Sequence, residues 1–256
     1  MNIVINCDDL GIRSDVNASI FLQMEKGLVR SATVMMNGAA VEEAIREAQN
    51  FPHCSFGVHL NITQFATLSN HPGLAPLLDA QGEFNGRQTG RPYRIPLTKA
   101  IRAGVFAEWS AQIERARALG LRISHIDSHH HTHTRWELLG ELTALCSRYG
   151  ITRVRTRVNV GRSLTFHLLN RAWNRRLRAI PGITTTAGFA AFTAFHQRLV
   201  SGQSIPETME VMCHPGHDRY RAENILLDSN WKDRLPVGTT MGSYREIGMP
   251  EAILPS

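Results

Sequence analysis

The chain has 256 residues, 43% of them hydrophobic and 20% charged, with a formal net charge of +6. That apolar share supports a packed core and excludes a disordered polyelectrolyte. No apolar run approaches the ~20 residues of a membrane span, and the opening Met1-Asn2-Ile3-Val4-Ile5-Asn6 lacks the basic leader of a signal peptide, so a cytoplasmic α/β protein is expected.

Residues 2–7 read as a first strand ending in Cys7-Asp8-Asp9-Leu10-Gly11. Ser14 or Asp15 caps the helix that follows, with Val16, Ile20, Phe21 and Met24 near one face. Residues 30–36 form a second strand before the Asn37-Gly38 turn, and 41–49 a helix with Val41, Ala44, Ile45 and Ala48 on one side. Ser55-Phe56-Gly57-Val58-His59-Leu60 is a third strand. Residues 61–96, punctuated by Pro72, Pro76, Pro92 and Pro96, are irregular, and a loop of that length shapes a substrate cleft. Thr98 caps a helix bearing Ile101, Val105, Trp109, Ile113 and Ala116, stopped by Gly120. Ile123-Ser124-His125-Ile126-Asp127-Ser128-His129-His130-His131-Thr132-His133 then enters as a strand, and a helix over 135–148 leaves it.

Residues 151–155 are the next strand. Ser163 caps a basic helix with a stripe of Leu164, Leu168, Leu169, Trp173 and Leu177. Such a stripe belongs in the core or between two copies of a homodimer, although a basic amphipathic helix also sits on membranes. A weaker strand at 183–186, a short helix at 195–200 and a late strand at 210–213 lead to His214-Pro215-Gly216. With no linker and no short repeat, one domain over 1–256 is expected. Its repeated strand–helix units predict a parallel sheet, open or closed into a barrel.

The excess charge is local. Ten arginines and no acidic residue lie between Glu141 and Glu207. No nucleic-acid recognition motif or aromatic stacking series accompanies them, so a solvated basic surface is expected and no nucleic-acid partner. The four cysteines (Cys7, Cys54, Cys146, Cys213) are widely spaced without a Cys-x-x-Cys pair, which predicts buried thiols rather than disulfides or a zinc ribbon.

Four strand ends carry polar groups: Asp8-Asp9, His59, His129 with its neighbours, and His214. In a parallel α/β fold all four open onto one face. Neighbouring histidines on an extended chain point to opposite sides, so only one or two of the five between His125 and His133 can bind a metal. An Asp/His/His set of three protein ligands leaves positions open for water and substrate. Of two adjacent aspartates, one can ligate while the other takes a proton.

At these residues the chain resembles the YdjC-type carbohydrate deacetylases. The resemblance rests on Asp8-Asp9-Leu10-Gly11, Gly57-Val58-His59-Leu60, His125-x-Asp127-Ser128-His129-His130-His131-x-His133 and Met212-Cys213-His214-Pro215-Gly216, in the family's order. It implies a distorted (β/α) barrel of fewer than eight units, TIM-barrel-like, and a divalent metal such as Mg or Zn. It also implies removal of acetyl from an N-acetylated sugar such as a chitooligosaccharide. Carried across position by position, the metal ligands are Asp9, His59 and His129, the general base is Asp8, the acid is His214, and Arg155 lies near the base. A metal phosphoesterase and a non-catalytic metal- or polyanion-binding module are the alternatives. Few carboxylates to bridge two metals and no Gly-rich phosphate loop weigh against the first, and the intact Asp8-Asp9 pair weighs against the second.

Overall fold

The computed structural model describes residues 1–86, 95–160 and 164–248, the side chains of residues 164–167 excepted. Its organising strand is β1 (Asn2–Leu10), which pairs parallel with β2 (Ser31–Val34) on one side and β6 (Thr208–Cys213) on the other. β7 (Thr240–Gly242) pairs with the first residues of β1 on the edge it shares with β2. β3 (Ser55–Leu60), β4 (Ile123–Ser128) and β5 (Gly188–Ala191) complete a seven-stranded sheet in the order β4-β3-β2-β1-β6-β5. Every pairing is parallel, so each connection crosses outside the sheet, for the most part through a helix.

The two ends of this sheet are tied by irregular backbone. Ile126 exchanges hydrogen bonds with the Arg153–Arg155 backbone at 3.1 Å each, and Thr184 continues the bridge from Thr152 and Val154. Asn159 N–H then reaches Phe189 O in β5 at 3.2 Å. The result is the distorted barrel of fewer than eight units that the family resemblance implies. The expected strand over 151–155 is only these isolated bridges, and the expected strand at 183–186 is replaced by β5 a few residues later. Ile151-Thr152-Arg153-Val154-Arg155 makes one bridge on each side, Val154 to Ile126 and Arg153 to Thr184, and neither continues into a ladder.

Alternation along the strands separates two environments. Ile3, Ile5 and Cys7 of β1 join Val34, Phe56, Val58, Ile126, Met209 and Val211 in the main apolar core beneath the helices. The opposite face is polar: Asn6 and Asp8 meet Ser31, Thr33, Ser55, His59, His125, Asp127 and Glu210 inside the barrel, all buried. Hydrogen bonds satisfy this interior, among them Ser31 Oγ to Asn6 Oδ1 at 2.7 Å and Asn6 Nδ2 to Thr33 Oγ1 at 3.2 Å.

Helices cover the outside. They are α1 (Ser14–Glu25), α2 (Val41–Ala48), α3 (Lys99–Ala118), α4 (Leu139–Tyr149), α5 (Leu164–Arg178), α6 (Phe192–Val200) and α7 (Arg221–Leu227). Thr98 caps α3 as expected, its hydroxyl accepting from Ile101 N–H at 3.3 Å. Ser14 and Asp15 instead lie inside α1, whose N-cap is Arg13 without a side-chain bond. Trp136 and Leu138 form a 3-10 turn ahead of α4, not the first turn of the expected helix. On α5, Trp173 and Leu177 are buried, whereas Leu168 and Leu169 face solvent, so the expected five-residue stripe is not one face. Ser163 lies outside the described residues, as does the side chain of Leu164. Among the described residues no helix is long and apolar enough to cross a membrane, and all four cysteines are buried and free.

The loop leaving β3 is held by two buried polar residues of α3. Gln112 pairs with both the N–H and the C=O of Asn61 (2.9 and 2.7 Å), and Glu108 accepts from Leu68 and Ser69 N–H at 3.0 and 2.8 Å. This fixes the start of the 61–96 segment directly after His59.

Gly57 is the tightest point of the β3–β4 interface: a Cβ there would lie 2.6 Å from His125 O and 2.7 Å from its ring. Neither atom belongs to a flexible end, so Gly57→Ala should destabilise the protein by about 1–3 kcal/mol. Urea unfolding of the variant should show a lower midpoint at unchanged slope.

Candidate active site

Two consecutive aspartates can serve one site only if the strand breaks its alternation. Between Cys7 and Leu10 the register of β1 against β2 shifts, with Cys7 opposite Ala32 and Leu10 opposite Val34. Asp9 sits in this bulge with φ 67°, a left-handed conformation that an aspartate tolerates better than most residues. The bulge turns Asp8 and Asp9 toward the same cleft, whose volume is about 1130 Å³ and whose wall includes both, His59, His129, His214, Phe65, Phe84 and Tyr220.

Asp9 faces two imidazoles. Its Oδ1 lies 3.2 Å from His59 Nε2 and 2.9 Å from His129 Nδ1, yet it is buried and makes no hydrogen bond. The three ligand atoms lie within 4.8 Å of one another. An orphaned carboxylate oxygen between two imidazole nitrogens fits a cation bound by one oxygen and two nitrogens, a donor set suited to Zn and, with water completing the shell, to Mg. The charge balance agrees. Asp8, Asp9, Asp127 and Glu210 are buried against one buried guanidinium, Arg155. Burial pulls the His59 pKa down, but Asp127, Asp9 and Asp8 outweigh it and push it up to about 10.

The surroundings orient these ligands. His59 Nδ1 pairs with Asp127 Oδ1 at 2.7 Å, which points Nε2 at Asp9. Asp127 Oδ2 is taken by Thr33 Oγ1 at 3.1 Å and Arg155 Nη1 at 2.5 Å. His129 Nε2 meets Gln64 Oε1 at 3.0 Å.

Asp8 has different partners. Arg155 clamps it through both oxygens, Nη1 to Oδ2 at 2.7 Å and Nη2 to Oδ1 at 2.6 Å, and Asn6 Nδ2 donates to Oδ1 at 3.0 Å. Burial raises its pKa, but Arg155 and the neighbouring histidines overcome that and hold it well below the usual carboxylate range. Across the cleft wall, His214 Nε2 lies 3.9 Å from Asp8 Oδ2. Its Nδ1 is 3.3 Å from Glu223 Oε1, which also accepts the His214 backbone N–H at 2.6 Å, and its ring stacks on Tyr220 with centroids 4.0 Å apart. Burial opposes protonation of His214, yet Glu223, Asp8 and Asp9 raise its pKa overall.

Of the five histidines from His125 to His133, only His129 faces Asp9. His130 and His131 both take left-handed φ (52° and 55°), and this double kink turns the chain after a single ligand. His130 Nδ1 meets Thr63 Oγ1 at 3.0 Å, and His131 lies against the Phe189 ring. His125 stacks on Tyr244 with centroids 3.7 Å apart, and His133 bridges Ser128 Oγ and Arg155 O. Burial, opposed in part by the Arg155 carbonyl, pushes the His133 pKa down to about 3, so it is a neutral structural residue.

The sequence reading missed His217, Glu223, Glu210 and Tyr244. His217 Nε2 lies 3.4 Å from Asp9 Oδ2 in the turn after His214, and three-residue spacing on a tight turn was a readable signal. Glu223 is a helix residue among exposed neighbours and gave none.

With this geometry in place, comparison with known proteins is informative. The family profile described as YdjC-like protein matches residues 2–244. The chain belongs to the YdjC-like family. A carbohydrate deacetylase of Vibrio campbellii is 31% identical over 216 residues, covering 84% of this chain and 78% of the relative. A carbohydrate deacetylase of Geobacillus stearothermophilus is 30% identical over 223 residues, covering 84% and 79%. The crystal structure of an Enterococcus faecalis protein, described as proposed to cleave cellobiose phosphate, superposes with a TM-score of 0.78 over 96% of this chain and 98% of its own, at 23% identity. That likeness confirms the YdjC-like barrel fold.

Arg155 is fully buried and pairs with Asp8, Asp127 and Glu210. Arg155→Ala would leave three buried carboxylates without their cation, and should destabilise this YdjC-like protein by roughly 3–5 kcal/mol. Denaturant unfolding of the variant at neutral pH checks the size of the loss.

Proposed function

We propose that this YdjC-like protein is a metal-dependent deacetylase that hydrolyses the acetamide of an N-acetylated amino sugar. One observation carries the reading. Two adjacent aspartates on one cleft wall are committed to different partners, Asp9 to the imidazoles of His59 and His129, Asp8 to Arg155 and the His214 side. The names of the related deacetylases support the substrate class.

Asp9, His59 and His129 are the residues that would hold the divalent cation, which when bound supplies Lewis acidity at the acetamide. Asp8 takes the proton of the attacking water as its oxygen bonds to the acetyl carbon. Arg155 keeps the Asp8 carboxylate oriented, and since both oxygens are already engaged, only the remaining lone pairs serve as base. His214, held through Nδ1 by Glu223, presents Nε2 to the cleft and donates a proton to the amine nitrogen as the C–N bond breaks. Acetate and a free amino sugar are the products. The cleft volume exceeds the ~300–1,000 Å³ typical of small-molecule sites, and the partly exposed Phe65 on its wall offers an apolar face to a sugar ring. An oligosaccharide fits this better than a lone monosaccharide.

Acetate and phosphate release should be assayed together on N-acetylglucosamine, its short oligomers and phosphorylated sugars, with and without a chelator. Acetate alone, abolished by chelation and restored by Mg or Zn, is expected; phosphate release would establish the phosphoesterase alternative instead.

The two aspartates separate by substitution. Asp8→Asn should retain metal while kcat falls about 10²–10⁴-fold, the usual contribution of a general base. Asp9→Asn should lose metal, and excess metal should restore part of its rate. Metal content and acetate release measured on the same preparations decide this. An Asp8→Asn protein without metal, or with full activity, overturns the assignment. Asp127 is no substitute base, because it is fully buried and absent from the cleft wall.

A further inference from the structure

The barrel accounts for only one side of α5. Asn170 and Asn174 bind the backbone at Val158 and Arg157, and Trp173 and Leu177 are fully buried. At 3.6 residues per turn the opposite side is centred on Leu168 and Ala172, with Leu169 and Arg176 on one flank and Arg171 and Arg175 on the other. Leu168 is 68% and Leu169 64% exposed, and the three arginines are exposed as well. The Arg157 guanidinium lies 5.6 Å from the Trp173 ring on the barrel side of the helix, away from this outer face.

We propose that the outer face of α5 docks onto an anionic lipid surface. An apolar centre with cationic flanks matches an interfacial helix, whose leucines enter the acyl boundary while arginines reach the headgroups. The charge is complementary throughout, since no acidic residue occurs between Glu141 and Glu207. Nucleic acid would satisfy the arginines but leave the two leucines in water. A two-fold contact with a second copy would bring Arg171, Arg175 and Arg176 against their own counterparts with no acid on the helix to separate them.

The test is co-sedimentation of the full chain with vesicles of phosphatidylcholine alone or mixed with phosphatidylglycerol. Binding to the mixed vesicles at low salt, and little to phosphatidylcholine alone, is expected. Arg175→Gln with Arg176→Gln should weaken it about fivefold per arginine. Leu168→Ser with Leu169→Ser should weaken it roughly tenfold per leucine while thermal melts stay unchanged. Absence of binding to mixed vesicles overturns the proposal. So does a leucine variant that binds like the parent, which would make the contact purely ionic. A parent dimer that the leucine variant converts to monomer, with no vesicle binding, would assign the face to a second copy.

Discussion

The guanidinium of Arg155 is the interaction on which the rest of the centre depends. It is fully buried, and each of its nitrogens meets a carboxylate from a different wall of the barrel: Asp8 on β1, Asp127 on β4, Glu210 on β6. Three like charges this close would otherwise exclude one another from a low-dielectric interior. The same cation that makes the interior stable also aims the groups at its edge. Asp127 passes the orientation to His59, and Asp8 is held flat against the cleft wall. Glu210 shows how finely the charge is balanced: burial, against the pull of Arg155, pushes its pKa up to about 7, and it accepts the Tyr244 hydroxyl.

Catalytic placement here is obtained by departing from regular structure. A strand would send Asp8 and Asp9 to opposite faces, and an extended run would scatter the histidines. The bulge at Asp9 and the paired left-handed residues His130 and His131 cancel that alternation at two strand ends. Such backbone costs about 1–3 kcal/mol per residue and persists only where surrounding contacts enforce it. Buried hydrogen bonds supply the enforcement: Asn17 accepts from Gly11 N–H at 2.7 Å, and Ser128 receives His133 N–H at 2.8 Å.

The strand–helix order, β3, the Thr98 cap and the gathering of Asp8-Asp9, His59 and the His129 region on one face were legible in the sequence because each follows from a local pattern or from the rule that parallel strands end together; the choice of Asp9 and His129 among their neighbours came from the family resemblance. The segment 151–155 is not the expected strand, since it keeps only single bridges, to Ile126 and to Thr184. The α5 stripe was misread because leucine spacing cannot say that Asn170 and Asn174, not Leu168, turn inward to bind backbone. Glu210 carried no signal. A glutamate inside an apolar strand and a tyrosine near residue 244 become a pair only when the barrel curls.

That pair bears on the order in which the molecule can be assembled during synthesis. β1, the first strand made, takes its neighbours from residues 208–213 and 240–242, and Tyr244 stacks on His125 while donating to Glu210. A nascent chain therefore carries an open-edged sheet and an incompletely paired cluster of acids until residues 208–244 have left the ribosome. Contacts of such sequence separation form late and slowly. The half-made barrel is accordingly the species most exposed to aggregation and to proteolysis, and the one on which a chaperone would act.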